Sequence, residues 1–528
     1  MDGGAASPPV RLAEVVAALS LGVDLGFGQP MEHVLRQCLI ALRLAERAGL
    51  GESERAAVYY TALLVNVGCH SDAHEQAKWF GDDIALKSGK YRYDFGGLRG
   101  VAATIRMIGS GNPPLHRVRI GLEFAMSGHR DLDGMILQHA RLARMLAEQL
   151  GLSGAVSEAV GAAYEQWDGR GWPGDLKGAA VPAAARIAQL AEYTEVAHRV
   201  GGTGAAMALA RRRAGRQFDP GLADLLCSEP QHILGGLDTV HTWDTVIESE
   251  PALAIVLAPD QLDAVLAAVA DFVDLKSPFT IGHARAVAAL AEAAGRRSGL
   301  PAADVAMLRR AALVHNLGRL GVSNAIWDRP GPLGAGEWER VRMYPYLTER
   351  MLRQSAALSP LGAIAVQHRE HLDGSGYPRG LSGGAIGRPA RILGVADAYQ
   401  AMREPRAHRP ALAAADAAAE LRAGVRGGRL DESAVEAVLG AAGHRVLRRR
   451  DGLSGLTARE VDVLRLLARG LSNRQIAASL VIAPKTAGNH VEHIYAKIGA
   501  SSRAAAAWYA MRQGLLPEEE IAAPAAGS

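Results

Sequence analysis

The chain repeats itself, and this constrains its fold more than any other feature of the sequence. Val23-Asp24-Leu25 returns as Val273-Asp274-Leu275 and His33 as His283, 250 residues on. Ala62-Leu63-Leu64-Val65-Asn66-Val67-Gly68 returns as Ala312-Leu313-Val314-His315-Asn316-Leu317-Gly318, again 250 residues apart. Later blocks recur at a shorter distance. Trp167-Asp168-Gly169-Arg170-Gly171-Trp172-Pro173 returns as Leu372-Asp373-Gly374-Ser375-Gly376-Tyr377-Pro378, and Ala185-Arg186-Ile187 as Ala390-Arg391-Ile392, both 205 residues apart. A constant offset over so long a span means two copies of one structural unit. The drop from 250 to 205 places about 45 extra residues in the first copy, within 69–135. That stretch is rich in Gly, Asp and His and reads as a loop or a packing element.

The copies read as helical. Residues 283–297 and 303–316 carry apolar side chains at spacings of three and four. Pro301-Ala302-Ala303-Asp304 is a helix start with Pro in the first turn. The Asp-Gly-x-Gly-x-Pro blocks are loops, because their glycines permit positive φ and their proline stops a helix. Aromatics are only 5% of the chain while Ala, Leu and Arg abound, which favours helix over strand. Apolar residues at 49% and charged residues at 21% exclude wholesale disorder. Cys38, Cys69 and Cys227 are too few and too scattered for a disulfide framework. No apolar run approaches the roughly 18 residues a membrane span needs, and Met1–Val10 lacks a leader pattern. The expectation is a cytoplasmic protein without membrane contact.

Residues 456–516 form a separate helical unit. Thr457 and Glu460 make a capping box and Gly470 ends the first helix. Asn473 caps the second helix, Pro484 opens the third at its first position, and Ser502 opens the fourth. The net charge of the whole chain, +3, hides an asymmetry: residues 447–516 hold 11 Lys+Arg against 4 Asp+Glu. Such a surplus supplies the salt-dependent phosphate contacts of a nucleic-acid binder. Two short helices joined by a tight turn, the second flanked by basic residues, match a helix-turn-helix.

The segment resembles the LuxR/FixJ-type DNA-binding domain. The residues that carry the likeness are Leu456-Thr457-x-Arg459-Glu460, Gly470-Leu471-Ser472-Asn473, Ile476-Ala477, Lys485-Thr486, His490-Val491, Ile494, Lys497 and Arg503. The resemblance implies a homodimer on double-stranded DNA with the third helix in the major groove. The DNA-facing candidates are Asn473, Lys485, Thr486, Asn489, His490, His493 and Lys497. Lys485 and Thr486 suit phosphates, and Asn489 a base edge. The chain departs from the family at Ala483, where a capping Ser is usual, and at Ala487 and Gly488 inside the recognition helix.

Residues 258–444 resemble the HD-GYP branch of the HD phosphohydrolases. The likeness rests on His283, on His315-Asn316 before Gly318-Arg319, on the run His368 to Pro378, and on Asp397. It implies an all-helical fold and a metal-dependent phosphodiesterase acting on cyclic dinucleotides. In such chemistry two divalent ions clamp a phosphate and lower the pKa of a bridging water. Here that site is eroded. Asn316 stands for the charged half of the His-Asp pair, Tyr344 for a further His before Pro345, and Arg369 for the second of two adjacent histidines. The remaining ligand set, His283, His315, Asn316, His368 and Asp397, suits one divalent ion, iron or manganese. Arg369 repels a metal and pairs with Asp397 instead. Asn316 and Arg319 are the catalytic candidates of an active enzyme, with Arg319 gripping a phosphate.

The first copy keeps the scaffold and loses the chemistry: Val65-Asn66 replaces the His-Asp pair, Ala163-Tyr164 the paired histidines, and Glu192 stands opposite Asp397. In Cys69-His70-Ser71-Asp72-Ala73-His74 the two histidines are four apart and would share a helix face. A packing role is expected there.

The resulting expectation is an all-α chain: two tandem HD-like bundles (9–235, including the insertion, and 258–444), a basic linker (445–455), a four-helix helix-turn-helix domain (456–516) and a disordered tail (517–528). Its function is transcription regulation, with the HD-like copies sensing a nucleotide or small molecule or mediating assembly. The alternative is a phosphohydrolase fused to a DNA-binding domain.

Overall fold

The structure is a computed structural model and describes residues 9–91, 105–110, 112–251, 254–444, 456–500, 502–512 and 515. The expected linker 445–455 and tail 517–528 lie outside the described residues. The chain divides into two compact units, Met1–Arg445 and Val446–Ser528.

Helices build almost all of the first unit. The first copy contains Leu12–Gly26, His33–Arg47, Glu52–Leu64, His129–Gln149 and Ala183–Arg213, the last broken at Gly202. The second contains Pro259–Asp274, His283–Arg297, Ala302–Val314, Tyr344–Leu352 and Arg388–Arg403. Among the described residues the sheet is one antiparallel pair, Val10–Arg11 with Val256–Leu257. The copies match in local detail. Asp24 caps the helix at His33 through the Val34 N–H (3.1 Å), and Asp274 caps the helix at His283 through the Ala284 N–H (2.8 Å). Gly171 and Gly376 are obligatory in their loops: a Cβ would lie 2.4 Å from Gln166 N and 2.3 Å from His371 N respectively.

The copies share one continuous core, in which Leu12, Leu35 and Leu64 of the first join Leu266, Val314 and Leu393 of the second. Gly22 lets the opening helix approach closely, since a Cβ there would sit 2.8 Å from Leu320 Cδ1. The insertion reinforces this union. Its described part is largely helical, Ala73–Phe80, Asp83–Ser88 and Pro114–Glu123, which corrects the loop expectation. Trp79, Phe80 and Ile120 give it a small core of its own. Asp83, fully buried, pairs with Lys87 (3.1 Å) and with Lys276 of the second copy (3.3 Å). Its other oxygen accepts from Ser323 Oγ (2.7 Å) and the Asn324 N–H (2.9 Å). His70 Nε2 bonds Phe272 O (2.8 Å) and His74 meets Asp328 (2.8 Å), so both face the second copy. They do not share a helix: His70 ends the 3₁₀ turn Val67–His70 and His74 lies on the next helix.

Among its described residues the second unit has four helices, Ala458–Ala468, Asn473–Leu480, Pro484–Ile498 and Arg503–Arg512. Leu464, Leu467, Ile476, Val491, Ile494 and Ala506 form its core. Thr457 and Glu460 make the expected capping box, with Glu460 Oε2 accepting from the Thr457 N–H (2.6 Å). The second helix corrects the cap expected at Asn473. Ser472 is the cap, because its hydroxyl accepts from the Gln475 N–H while Gln475 accepts from the Ser472 N–H (2.8 Å). Asn473 is thereby the first helical residue.

Candidate functional site

In the second copy, five helices and loops bring His283, His315, Asn316, Tyr344, His368, Arg369 and Asp397 together, and all but Arg369 are buried. Asp397 is the centre. Its Oδ1 faces His283 Nε2 at 3.0 Å and His315 Nε2 at 3.5 Å, and its Oδ2 meets Arg369 Nη2 at 2.7 Å. Burial works against its charge, but Arg369 and His283 hold it well below the usual carboxylate range. His283 also meets Glu404 through Nδ1 (2.8 Å). A carboxylate on each ring nitrogen favours a proton on both; burial opposes that charge, and Asp397 and Glu404 raise the His283 pKa above the ordinary value.

Tyr344 and Arg369, standing where the family has histidines, close a network of their own. His368 Nδ1 donates to Ala365 O (2.5 Å), so Nε2 is an acceptor, and Tyr344 Oη donates to it at 2.7 Å. Tyr344 Oη in turn accepts from Arg369 Nε (2.8 Å). His368, expected among the metal ligands, is thus engaged by Tyr344 and stands apart from the group formed by His283, His315 and Asp397, whose ligand atoms lie within 4.8 Å of one another. Burial pushes His368 well below the ordinary histidine value.

Two groups are left without partners. His315 donates from Nδ1 to Ala312 O (2.6 Å), which leaves the Nε2 lone pair toward Asp397, and neither side-chain atom of Asn316 has a hydrogen bond among the described residues. Buried polar atoms rarely stay unpaired. His283, His315, Asp397 and the Asn316 amide oxygen therefore fit one divalent ion, provided His283 gives up its Nε2 proton and Arg369 yields. A two-ion centre does not fit: Asn316 brings no charge, His368 is engaged, and a guanidinium already neutralises Asp397.

Further basic side chains lie beside these residues. Arg319 stacks on Trp327, 3.8 Å from the ring centroid, and burial lowers its pKa with help from nearby Arg406 and Arg369. Arg406 pairs with Glu404 at 2.9 Å. Tyr344 entered the sequence reading only as a lost ligand; Glu404 and Arg406 carried no motif signal.

The first copy solves the same problem with a lysine. Lys90, delivered by the insertion, reaches Glu192 Oε1 (2.8 Å) and Asn66 Oδ1 (3.1 Å), the counterparts of Asp397 and Asn316. Tyr91 donates to the same Glu192 oxygen (2.9 Å). Burial disfavours the ammonium, yet Glu192 raises the Lys90 pKa. His33, counterpart of His283, is bound by Glu195. The constant offset holds a further clue that motif reading passed over: His139 lies 205 residues before Tyr344 and so occupies the position of the lost histidine.

In the second unit the recognition helix Pro484–Ile498 buries Ala487, Val491 and Ile494 and exposes Lys485, Thr486, Asn489 and His493. His490 is half-buried beside them and Asn473 is exposed. Lys497 is held differently: its ammonium spans both oxygens of Glu460 (2.8 and 2.7 Å), tying the third helix to the first. Lys497, expected to face DNA, has its charge committed inside the domain. Ala483 is the cap residue and makes no side-chain cap bond.

The family model for HD domains matches residues 129–222 and 267–434, and that for luxR-family bacterial regulatory proteins matches 454–510. The chain is 32% identical over 406 residues to the 3'3'-cGAMP-specific phosphodiesterase 3 of Vibrio cholerae, covering 76% of this chain and 88% of that protein. It is 33% identical over 184 residues to a cyclic di-GMP phosphodiesterase of Pseudomonas aeruginosa, covering 34% of this chain and 42% of that one. The crystal structure of a cyclic GMP-AMP specific phosphodiesterase of V. cholerae superposes with a TM-score of 0.57 at 28% identity, over 82% of this chain and 98% of that one. No helix among the described residues is long and apolar enough to cross a membrane. The chain belongs to the HD-domain family and carries, after its two HD copies, a LuxR-family DNA-binding domain.

Proposed function

We propose that this protein is a transcription regulator whose second HD copy binds a cyclic dinucleotide without hydrolysing it, and whose LuxR-type domain reads DNA. The observation that carries the reading is the Arg369 guanidinium on Asp397, 2.7 Å from the carboxylate that a metal centre needs. With Arg319 and Arg406 close by, the site offers fixed positive charge to a phosphodiester. The named activities of the V. cholerae relatives support a 3'3'-cyclic dinucleotide as the ligand class. On DNA, Lys485 and Thr486 are assigned to phosphates, and Asn489, with His490 and His493, to base edges. Two copies bind half-sites about one helical turn apart.

The test uses the purified full chain with 3'3'-cGAMP or cyclic di-GMP, with and without manganese. Calorimetric binding without turnover, together with a ligand-dependent change in DNA affinity, is expected. Hydrolysis with added manganese would establish the second reading, a phosphodiesterase, which the grouping of His283, His315 and Asp397 and the unpartnered Asn316 favour. Identical DNA binding by the full chain and by residues 446–528 under every ligand would remove the sensing role.

A further inference from the structure

Of the three cysteines, one has a base beside it. Cys38 is wholly buried and donates to Tyr59 O (3.7 Å), and burial pushes its thiol up. Cys227 is half-buried, donates to Met207 O (3.7 Å), and is also pushed up by burial. Cys69 is different. Its Sγ lies 2.6 Å from Tyr164 Oη, and His139, packed against the adjacent Gly68 and ion-paired through Nε2 with Asp72, acts on it electrostatically.

Separate parts of the fold converge to build this cluster. Cys69 lies on the turn Val67–His70, Asp72 just after it, and His139 on the helix His129–Gln149 beyond the insertion. Gly68 makes the approach possible, since a Cβ there would sit 2.2 Å from His139 O. Nucleophile, base and orienting carboxylate stand in the order that activates a thiol. The charged and titratable neighbours are His139, Asp72 and Tyr164, with Lys90, Glu192 and Tyr193 on the other side. Burial opposes the thiolate, but His139 and Lys90 outweigh it and hold Cys69 below the ordinary thiol value. Burial likewise opposes the His139 cation, and Cys69 and Asp72 push it up to about 9.

We propose that Cys69 is a modification site: a thiolate, paired with protonated His139, that reacts with hydrogen peroxide. The thiolate attacks the peroxide O–O bond, an S–O bond forms, and the leaving hydroxide takes the imidazolium proton of His139. The products are Cys69 sulfenic acid, neutral His139 and water. Cys69 is only 6% exposed, which admits a small oxidant and excludes bulky ones.

The test treats the full-length protein with limiting hydrogen peroxide, quenches the oxidant, unfolds the chain in the presence of a dimedone-type reagent to trap sulfenic acid, and quantifies each cysteine by mass spectrometry. At pH 7 an ordinary thiol is ~3% thiolate, so ionisation can raise the rate by ~30-fold at most, and the lower nucleophilicity of a weaker base trims this ceiling to about tenfold. Cys69 should therefore label severalfold faster than Cys38 or Cys227, up to about tenfold. Its rate should rise less steeply between pH 6 and 8 than that of an ordinary thiol, which gains ~tenfold per unit. His139→Gln should remove the rate advantage and restore the pH slope. Should that variant fold poorly, the pH profile of the unaltered protein decides by itself. A Cys69 rate no faster than that of Cys227, or one rising tenfold per pH unit, would overturn the proposal.

Discussion

The triple substitution Asn316→Asp, Tyr344→His and Arg369→His should convert the second HD pocket into a metal centre. Each change undoes one feature of the geometry. Arg369→His lifts the guanidinium off Asp397, Asn316→Asp places a carboxylate where an amide has no partner, and Tyr344→His frees His368 from its 2.7 Å hydrogen bond. The formal charge of the pocket falls by two, the charge of the ion it should take up. Arg369 and Asp397 at 2.7 Å attract by roughly 6 kcal/mol at an effective dielectric of ~20, a gross value before desolvation. Because Arg369 is 30% exposed and Asp397 only 1%, Arg369→Ala alone should destabilise the first unit by about 3 kcal/mol, the low end for breaking a buried pair. The triple variant should recover this when manganese is present, since an ion at 100 times its Kd adds ~2.7 kcal/mol. Metal content after manganese loading and desalting, together with the thermal midpoint with and without manganese, measures both effects. The unaltered chain should retain well under one ion and the triple variant at least one. A folded triple variant with unchanged metal content and no midpoint shift would refute the view that Arg369, Tyr344 and Asn316 displaced the metal.

Other expectations concern stability and DNA. Gly488→Ala should stabilise the second unit by about 0.5–1 kcal/mol, because Gly488 sits inside a helix and a Cβ there meets only Asn473 Nδ2 at an ordinary 3.8 Å; urea unfolding of the full chain reads this. Ala483→Ser should add about 1 kcal/mol in the same assay by supplying the missing cap. Lys485→Ala should weaken DNA binding and reduce the salt slope by about 1, whereas Lys497→Ala should lower the unfolding midpoint, since its partner is Glu460; gel shifts across a salt series separate the two. Asp83→Asn should cost about 3–5 kcal/mol by leaving Lys276 and Lys87 without their carboxylate. Burial alone would raise the Asp83 pKa, but the two lysines depress it. Its contribution is therefore complete above the ordinary value near 3.8 and is lost as pH falls through the depressed one. An acid titration that left the Asp83→Asn chain as pH-sensitive as the unaltered one would contradict this.

The repeat, the helical periodicity and the helix-turn-helix spacing were legible in the linear sequence, because they depend on which residue types recur at which intervals. So were His283, His315 and Asp397 as one site, and Ala483 as an empty cap. The misreadings share one cause. Ser472 and Asn473 are both good caps, and only the backbone shows which one the helix begins after. Lys497 is a plausible DNA contact until the third helix is packed against Glu460.

The sequence by itself determined that two HD copies and a DNA-binding domain exist and that the catalytic residue types had eroded, since these are matters of identity and spacing. The pairing of Arg369 with Asp397 was legible there too; only the tertiary structure decided how the other buried charges are balanced. His283 joins Arg369 on Asp397 and also meets Glu404, and Lys90, brought in by the insertion, neutralises Glu192. A buried carboxylate must have a counter-charge, but nothing in the chain's order says from which segment that charge will arrive.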